Sequence, residues 1–217
     1  MAADARRALL IAFILSLAGS SVSYIAAGAT LGLLIGSVAS AALVTPPLAL
    51  AVSQSAARPL VALAATAGSF VVWIFAIPIV DSLQCALVLF AFTLAVLALR
   101  SPAIAVIVAL GWLSVPFWMD SQRVASLVAY HPIFAMNGAC KSLGVWTQQP
   151  ILYRLSTLGQ DVPYQLPASI WHCVIAHGII GLALLWRVRN RSTVDDERAD
   201  PQTRSTPPPA PQAAHTP

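Results

Sequence analysis

Charge is scarce in this chain. Asp, Glu, Lys and Arg make up 9% of its 217 residues, against roughly 25% in an ordinary soluble domain. Apolar residues make up 58%. That balance excludes a domain with a solvated polar shell and points to a chain embedded in lipid. The net charge is +4, but most arginines flank apolar runs and form no basic patch. Nucleic acid is therefore not an expected partner. Cysteine is also scarce. Cys85 and Cys173 fall inside apolar runs, and Cys140 lies in a polar stretch with no partner beside it. Neither a disulfide framework nor a metal-ligand spacing follows, and three unpaired thiols are expected. Catalytic signatures are missing as well: there is no G-x-S-x-G elbow, no H-E-x-x-H and no P-loop. No enzyme activity and no cofactor are expected of the chain itself.

What is present is a series of apolar runs. Arg7 and Arg58 bracket fifty residues without a charge. That is far more than the ~30 Å hydrocarbon core needs at ~1.5 Å per helical residue. Two crossings are expected, Ala8–Ala27 and Ala29–Ala51, with a turn near Gly28. Leu60–Val80 makes a third span ending at Asp81, and Leu83–Leu99 a fourth ending at Arg100. Ser101-Pro102 reads as a helix start, opening a fifth span, Ala103–Met119. Pro167 opens the sixth, Ala168–Trp186. In lipid every backbone amide needs an internal partner, so each span is expected to be a helix. The fold class is thus all-α: a polytopic membrane bundle of about six spans over residues 1–190, with an outer loop over 120–166. Residues 191–217, "RSTVDDERADPQTRSTPPPAPQAAHTP", are polar and proline-rich, and a disordered cytoplasmic tail is expected there.

Charge asymmetry sets the orientation. With the N-terminus inside, Arg6, Arg7, Arg58, Arg100, Arg187, Arg189 and Arg191 are all cytoplasmic, and the short outer turns carry no Lys or Arg. Both termini are then cytoplasmic. Trp112, Trp118 and Trp171 fall towards the outer interface and Trp186 at the inner one. Arg6-Arg7, the apolar run and Ala27-Gly28-Ala29 also resemble a cleavable signal peptide, an alternative that leaves the remaining orientation unchanged.

Several residues stand out. Gly28, Gly32, Gly36 and Ser40 form a small-residue stripe, so another helix is expected to approach the second span closely, within the subunit or across a dimer. Thr45-Pro46-Pro47 is expected to stop or bend that helix. His172 and His177 lie in the sixth span, about 140° apart around a helix. A neutral histidine bonded to a neighbouring helix is expected, with a proton relay or substrate contact as the sharper reading. The stretch from Ala129 to Pro167 interleaves polar and apolar residues. Met136, Cys140 and Leu143 share one helical face, and Ile151, Leu152, Leu155 and Leu158 another. Two short amphipathic helices are expected at the outer surface, lying on the membrane or dipping into it. His131, Asn137, Trp146, Tyr153, Arg154 and Asp161 are its candidate gate residues.

This layout resembles the permease subunits of ABC-2-type exporters: six spans, both termini inside, and helical elements between spans five and six. "HPIFAMN", His131–Asn137, resembles the family's Asn-Pro-plus-apolar stretch after span five. The resemblance covers Ala8 to Val188 in layout. It implies a multi-pass protein of the bacterial inner membrane, working as a homo- or heterodimer with a separate nucleotide-binding ATPase. ATP would be used only through that partner. Arg58 and Arg100 are the candidate ATPase contacts. The family's loop after span two is charged, whereas "VSQSAARP" here carries Arg58 alone. A membrane scaffold or assembly factor is the second reading. An intramembrane enzyme using His131 or His177 with a serine is the third.

Overall fold

The computed structural model describes residues 3–27, 30–51, 57–99, 101–118, 125–140 and 166–199. The helices with defined bounds are α1 (Ala3–Ala27), α2 (Thr30–Ala51), α3 (Arg58–Ala76), α4 (Ile79–Leu97), α5 (Pro102–Trp118), α6 (Pro132–Ala139) and α7 (Trp171–Ala199). No strand occurs among the described residues. By length and composition α1 to α4 are each able to cross a membrane, and α5 and α7 carry shorter apolar stretches, Pro102–Val115 and Trp171–Arg187. Trp146, Tyr153, Arg154, Asp161, Arg100, Gly28 and the second amphipathic helix lie outside the described residues.

Two boundaries differ from the sequence expectation. The third span was expected to run to Val80, with Asp81 in the turn. Instead α3 ends at Ala76, and Ile77 is extended with φ −137° and ψ 145°. Pro78 is the cause: its ring excludes the helical conformation from the residue before it. Asp81 therefore sits in the first turn of α4, where its charge favours the helix N-terminus. The second span ends at Ala51 as expected, with Thr45-Pro46-Pro47 inside the helix and not stopping it. Two prolines there remove two amide donors, and the surrounding helices hold the segment in place. Secondly, α7 continues to Ala199, past the position 191 where the tail was expected to begin. Only residues 200–217 of that tail lie outside the described residues.

The bundle is built around α2, which touches α1, α3, α4, α5 and α6. On one side α1 lies against α2 and α3. On the other α7 lies against α4. The larger core joins Leu33, Leu34 and Val38 of α2 to Trp73 of α3, Leu89 and Phe92 of α4, and Met136 of α6. A smaller core at the opposite end gathers Ala5, Ala8, Ala12, Val61, Ala62 and Ala65.

Polar and apolar residues are distributed inside out. Ser16, Ser20, Ser37, Thr45, Thr66, Ser69, Ser82 and Thr93 are buried, while Ile25, Phe75, Ile107, Leu182 and Trp186 point outward. Water would penalise that surface heavily, at ~25 cal/mol per Å² of apolar area. Lipid accepts it. Between lipid-embedded helices, packing and hydrogen bonds replace the hydrophobic effect, so small and hydroxylated residues belong inside. Thr45, Thr66 and Thr93 each donate to the carbonyl four residues back, so their hydroxyls are satisfied within their own helices. The chain is an integral membrane protein built as an all-helical bundle.

Candidate functional site

The best-defined site lies where α4, α5, α6 and α7 meet. His131 precedes α6 with φ −82° and ψ 128°, and Pro132 supplies the fixed φ of a first helical residue. The short helix that follows was expected to lie on the membrane or to dip into it, and it takes the second course. Pro132, Ile133, Phe134, Ala135, Met136 and Asn137 are all buried, and α6 packs against α4 and α2. Its sequence has no polar face to offer water, so it inserts.

His131 is fully buried. Its Nε2–H donates to the Trp112 carbonyl of α5 at 3.1 Å. A carbonyl only accepts, so the ring is the Nε2–H tautomer and Nδ1 is an acceptor. Burial pushes the His131 imidazole down to about 4, and the bond to Trp112 opposes only part of that fall. The ring is therefore neutral at physiological pH. It packs at 5.4 Å from the Trp112 ring and 5.2 Å from Phe134, centroid to centroid. Nδ1 of His131 and Nε1–H of Trp112 are both buried and have no partner. Asn137 donates from Nδ2 to the Ile133 carbonyl at 2.8 Å, and its Oδ1 is likewise unpartnered. Three unused polar atoms in one region of an apolar core are unusual, since each costs ~1–3 kcal/mol when left unsatisfied.

His177 completes the cluster from α7. Its Nδ1–H donates to the Cys173 carbonyl of its own helix at 2.9 Å. Sequence reasoning expected a bond to a neighbouring helix. Its contacts there are instead aromatic: Phe92 of α4 at 5.7 Å, edge to face, and Trp112 of α5 at 6.4 Å. His172 lies elsewhere, exposed, with its ring 6.1 Å from Tyr130. The two histidines therefore do not act together.

Beside His177 runs a cavity of about 460 Å³ between α5 and α7, floored by α4. It is lined by Phe92, Trp112, Tyr130, His177, Ile180 and Leu184 among others. The lining is mostly apolar, with His177, Tyr130 and Trp112 as its side chains bearing a polar group, and the volume is within the ~300–1,000 Å³ of small-molecule sites. Sequence reasoning missed Trp112 as anything but a belt residue. No local signal marks it, because its role comes from a carbonyl and a ring presented to residues nineteen or more positions away.

The other candidates are structural in their surroundings. Gly36 approaches the Ser23 side chain of α1 so closely that a Cβ would collide with it. A Cβ on Gly19 would come within 2.7 Å of Ser40. The stripe on α2 thus meets a matching pair, Gly19 and Ser23, on α1. Gly32 is partly buried on the same helix. Arg58 donates from Nη1 to the Leu97 carbonyl at 3.3 Å, compensating the free carbonyls at the C-terminus of α4.

No family model, no curated protein and no solved structure matches the chain.

Proposed function

We propose that the chain is a six-span protein of the cell membrane and the transmembrane subunit of an ABC-2-type exporter that works with a separate ATPase. The observation that carries this reading is α6, a short helix between the last two apolar helices that re-enters the bundle instead of lying on it. Such an element matches the layout on which the family resemblance rests. It also gives the two halves of the outer end a packed surface against which to move. At 17 residues α5 is about 26 Å long, close to the ~17-residue minimum for a span. The apolar stretch of α7, Trp171–Arg187, has the same length. Together with α1 to α4 they make six crossings, with both termini on the arginine-rich cytoplasmic side. The cavity beside His177 offers an apolar cargo a surface reachable from the bilayer.

The test is a pull-down of the full chain in a mild detergent. The proposal expects a P-loop ATPase in stoichiometric amount, and ATPase activity that rises when the complex enters lipid. Recovery of an envelope protein without a nucleotide site, and of no ATPase, would replace the exporter with the scaffold. The wild-type chain must be used. Arg58 holds the end of α4, so its substitution would disturb the fold as well as any docking surface.

A further inference from the structure

Three cysteines are present, and two of them meet. Cys85 lies in the second turn of α4, and Cys140 caps the C-terminus of α6. They are 55 positions apart, yet their Sγ atoms are 3.7 Å apart and both side chains are fully buried. One carbonyl organises the pair. The Met136 oxygen takes the Cys140 amide at 3.0 Å and lies 3.9 Å from Cys85 Sγ. On the far side of α6 a Cβ at Gly138 would collide with the Pro167 carbonyl. The helix is therefore clamped between α4 and the segment leading into α7, which keeps Cys140 facing Cys85. The third thiol is engaged elsewhere, 3.5 Å from His177 Nδ1.

We propose that Cys85 and Cys140 form a disulfide that staples α6 to α4. Closing the bond requires the sulfurs to approach to ~2.05 Å, a movement within reach of side-chain rotation. The oxidant is a small or protein disulfide on the outer face of the membrane. Cys140, as thiolate, attacks one sulfur of that disulfide and releases a first thiol. Cys85 then attacks the mixed disulfide and releases the second. Two protein thiols lose two electrons, the oxidant disulfide is reduced to two thiols, and both protons leave on those thiols. Because the native pair is buried, exchange occurs while α6 docks, when Cys140 is still reachable. The proposal rests on the outward orientation derived from the arginines, since disulfides persist outside the cytoplasm and not within it. Once linked, α4 and α6 move as one body, and any opening of the outer end has to occur elsewhere.

The experiment uses the full chain purified without reductant, then denatured, alkylated and digested. The expected result is one peptide pair linked through Cys85 and Cys140, with Cys173 alone alkylated. Cys85→Ser and Cys140→Ser should each show two alkylated cysteines and no linked pair. The thermal midpoint of the wild type should fall by several degrees on reduction, and that of a Cys85→Ser, Cys140→Ser double variant should not respond. A second sample is treated with diamide, a small-molecule thiol oxidant. Three alkylated cysteines after diamide, or linkage through Cys173, would overturn the pairing. Linkage after diamide but not before would overturn the staple as a native bond and count against the outward orientation, while leaving the geometry intact.

Discussion

Removal of one hydroxyl tests how this bundle is held together. Ser37 of α2 accepts the indole N–H of Trp73 from α3 at 3.1 Å and lies 2.8 Å from Ser20 Oγ of α1. It also donates to the Leu33 carbonyl at 2.8 Å. Ser20 reaches Ser69 of α3 at 3.0 Å. Three helices thus share one network, and Ser20, Ser37, Ser69 and Trp73 are all fully buried. Ser37→Ala deletes the acceptor of the Trp73 N–H. A bond between membrane helices contributes ~0.6 kcal/mol on average and up to ~1.7. A buried donor with no alternative loses ~1–3 kcal/mol. Trp73 has no water to turn to, so the expected loss is about 1.5 kcal/mol, a little over tenfold in the folding equilibrium. Trp73→Phe removes the same bond from the other side but also changes volume. The double variant cancels that change, so the coupling from the four-way cycle should be about 1 kcal/mol. Reversible unfolding in mixed micelles, followed by near-ultraviolet circular dichroism, provides the readout. A coupling below ~0.3 kcal/mol would show that the network does not join α2 to α3.

Gly36→Leu should destabilise the chain by about 1–3 kcal/mol in the same assay, because the new side chain collides with Ser23. Gly111→Ala should be neutral or slightly stabilising, since nothing lies within 4 Å of its would-be Cβ and alanine is the better helix former. Acid should also weaken the fold. An unfolded histidine binds its proton near pH 6.5, whereas His131 in the folded chain resists until about 4. Its contribution is complete above pH 6.5 and falls as pH drops through that window, and the loss reaches roughly 3 kcal/mol by pH 4. His131→Gln, which keeps a donor for the Trp112 carbonyl, should flatten that part of the pH profile, and an unchanged profile would remove His131 as its source. Tyr130 is 43% exposed, so Tyr130→Cys in a chain without its other cysteines should react with an impermeant reagent added outside. Labelling only after lysis would invert the orientation. Cys140 is unsuitable for this purpose because it is buried.

Composition alone decided the solvent of this protein. A chain with 9% charged residues and 58% apolar ones has no means of covering itself with a polar surface, so membrane and helix followed together. Arginine placement supplied an expected direction for the bundle, which the labelling of Tyr130→Cys tests. The division into α1 and α2 was legible because the uncharged run from Ala8 to Ala57 is too long for one crossing, and α1 ends at Ala27 while α2 begins at Thr30. Local reading failed where a neighbour decided. Pro78 shifted the start of α4 away from the charge that had marked it. Pro46 and Pro47 remained helical because packing outweighs propensity. The stripe on α2 was visible, but its partner pair, Gly19 and Ser23, is ordinary in sequence and acquires meaning only opposite Gly36 and Ser40. Likewise "HPIFAMN" showed a break and an apolar run, and nothing in it said whether the helix lies on the surface or inside. Only the tertiary structure brought Trp112 to His131 and His177, and Cys85 to Cys140. Hydrophobic periodicity is a property of one helix and its solvent. The meeting of residues 19, 55 or 65 positions apart depends on how helices pack, and short stretches of sequence carry no record of it.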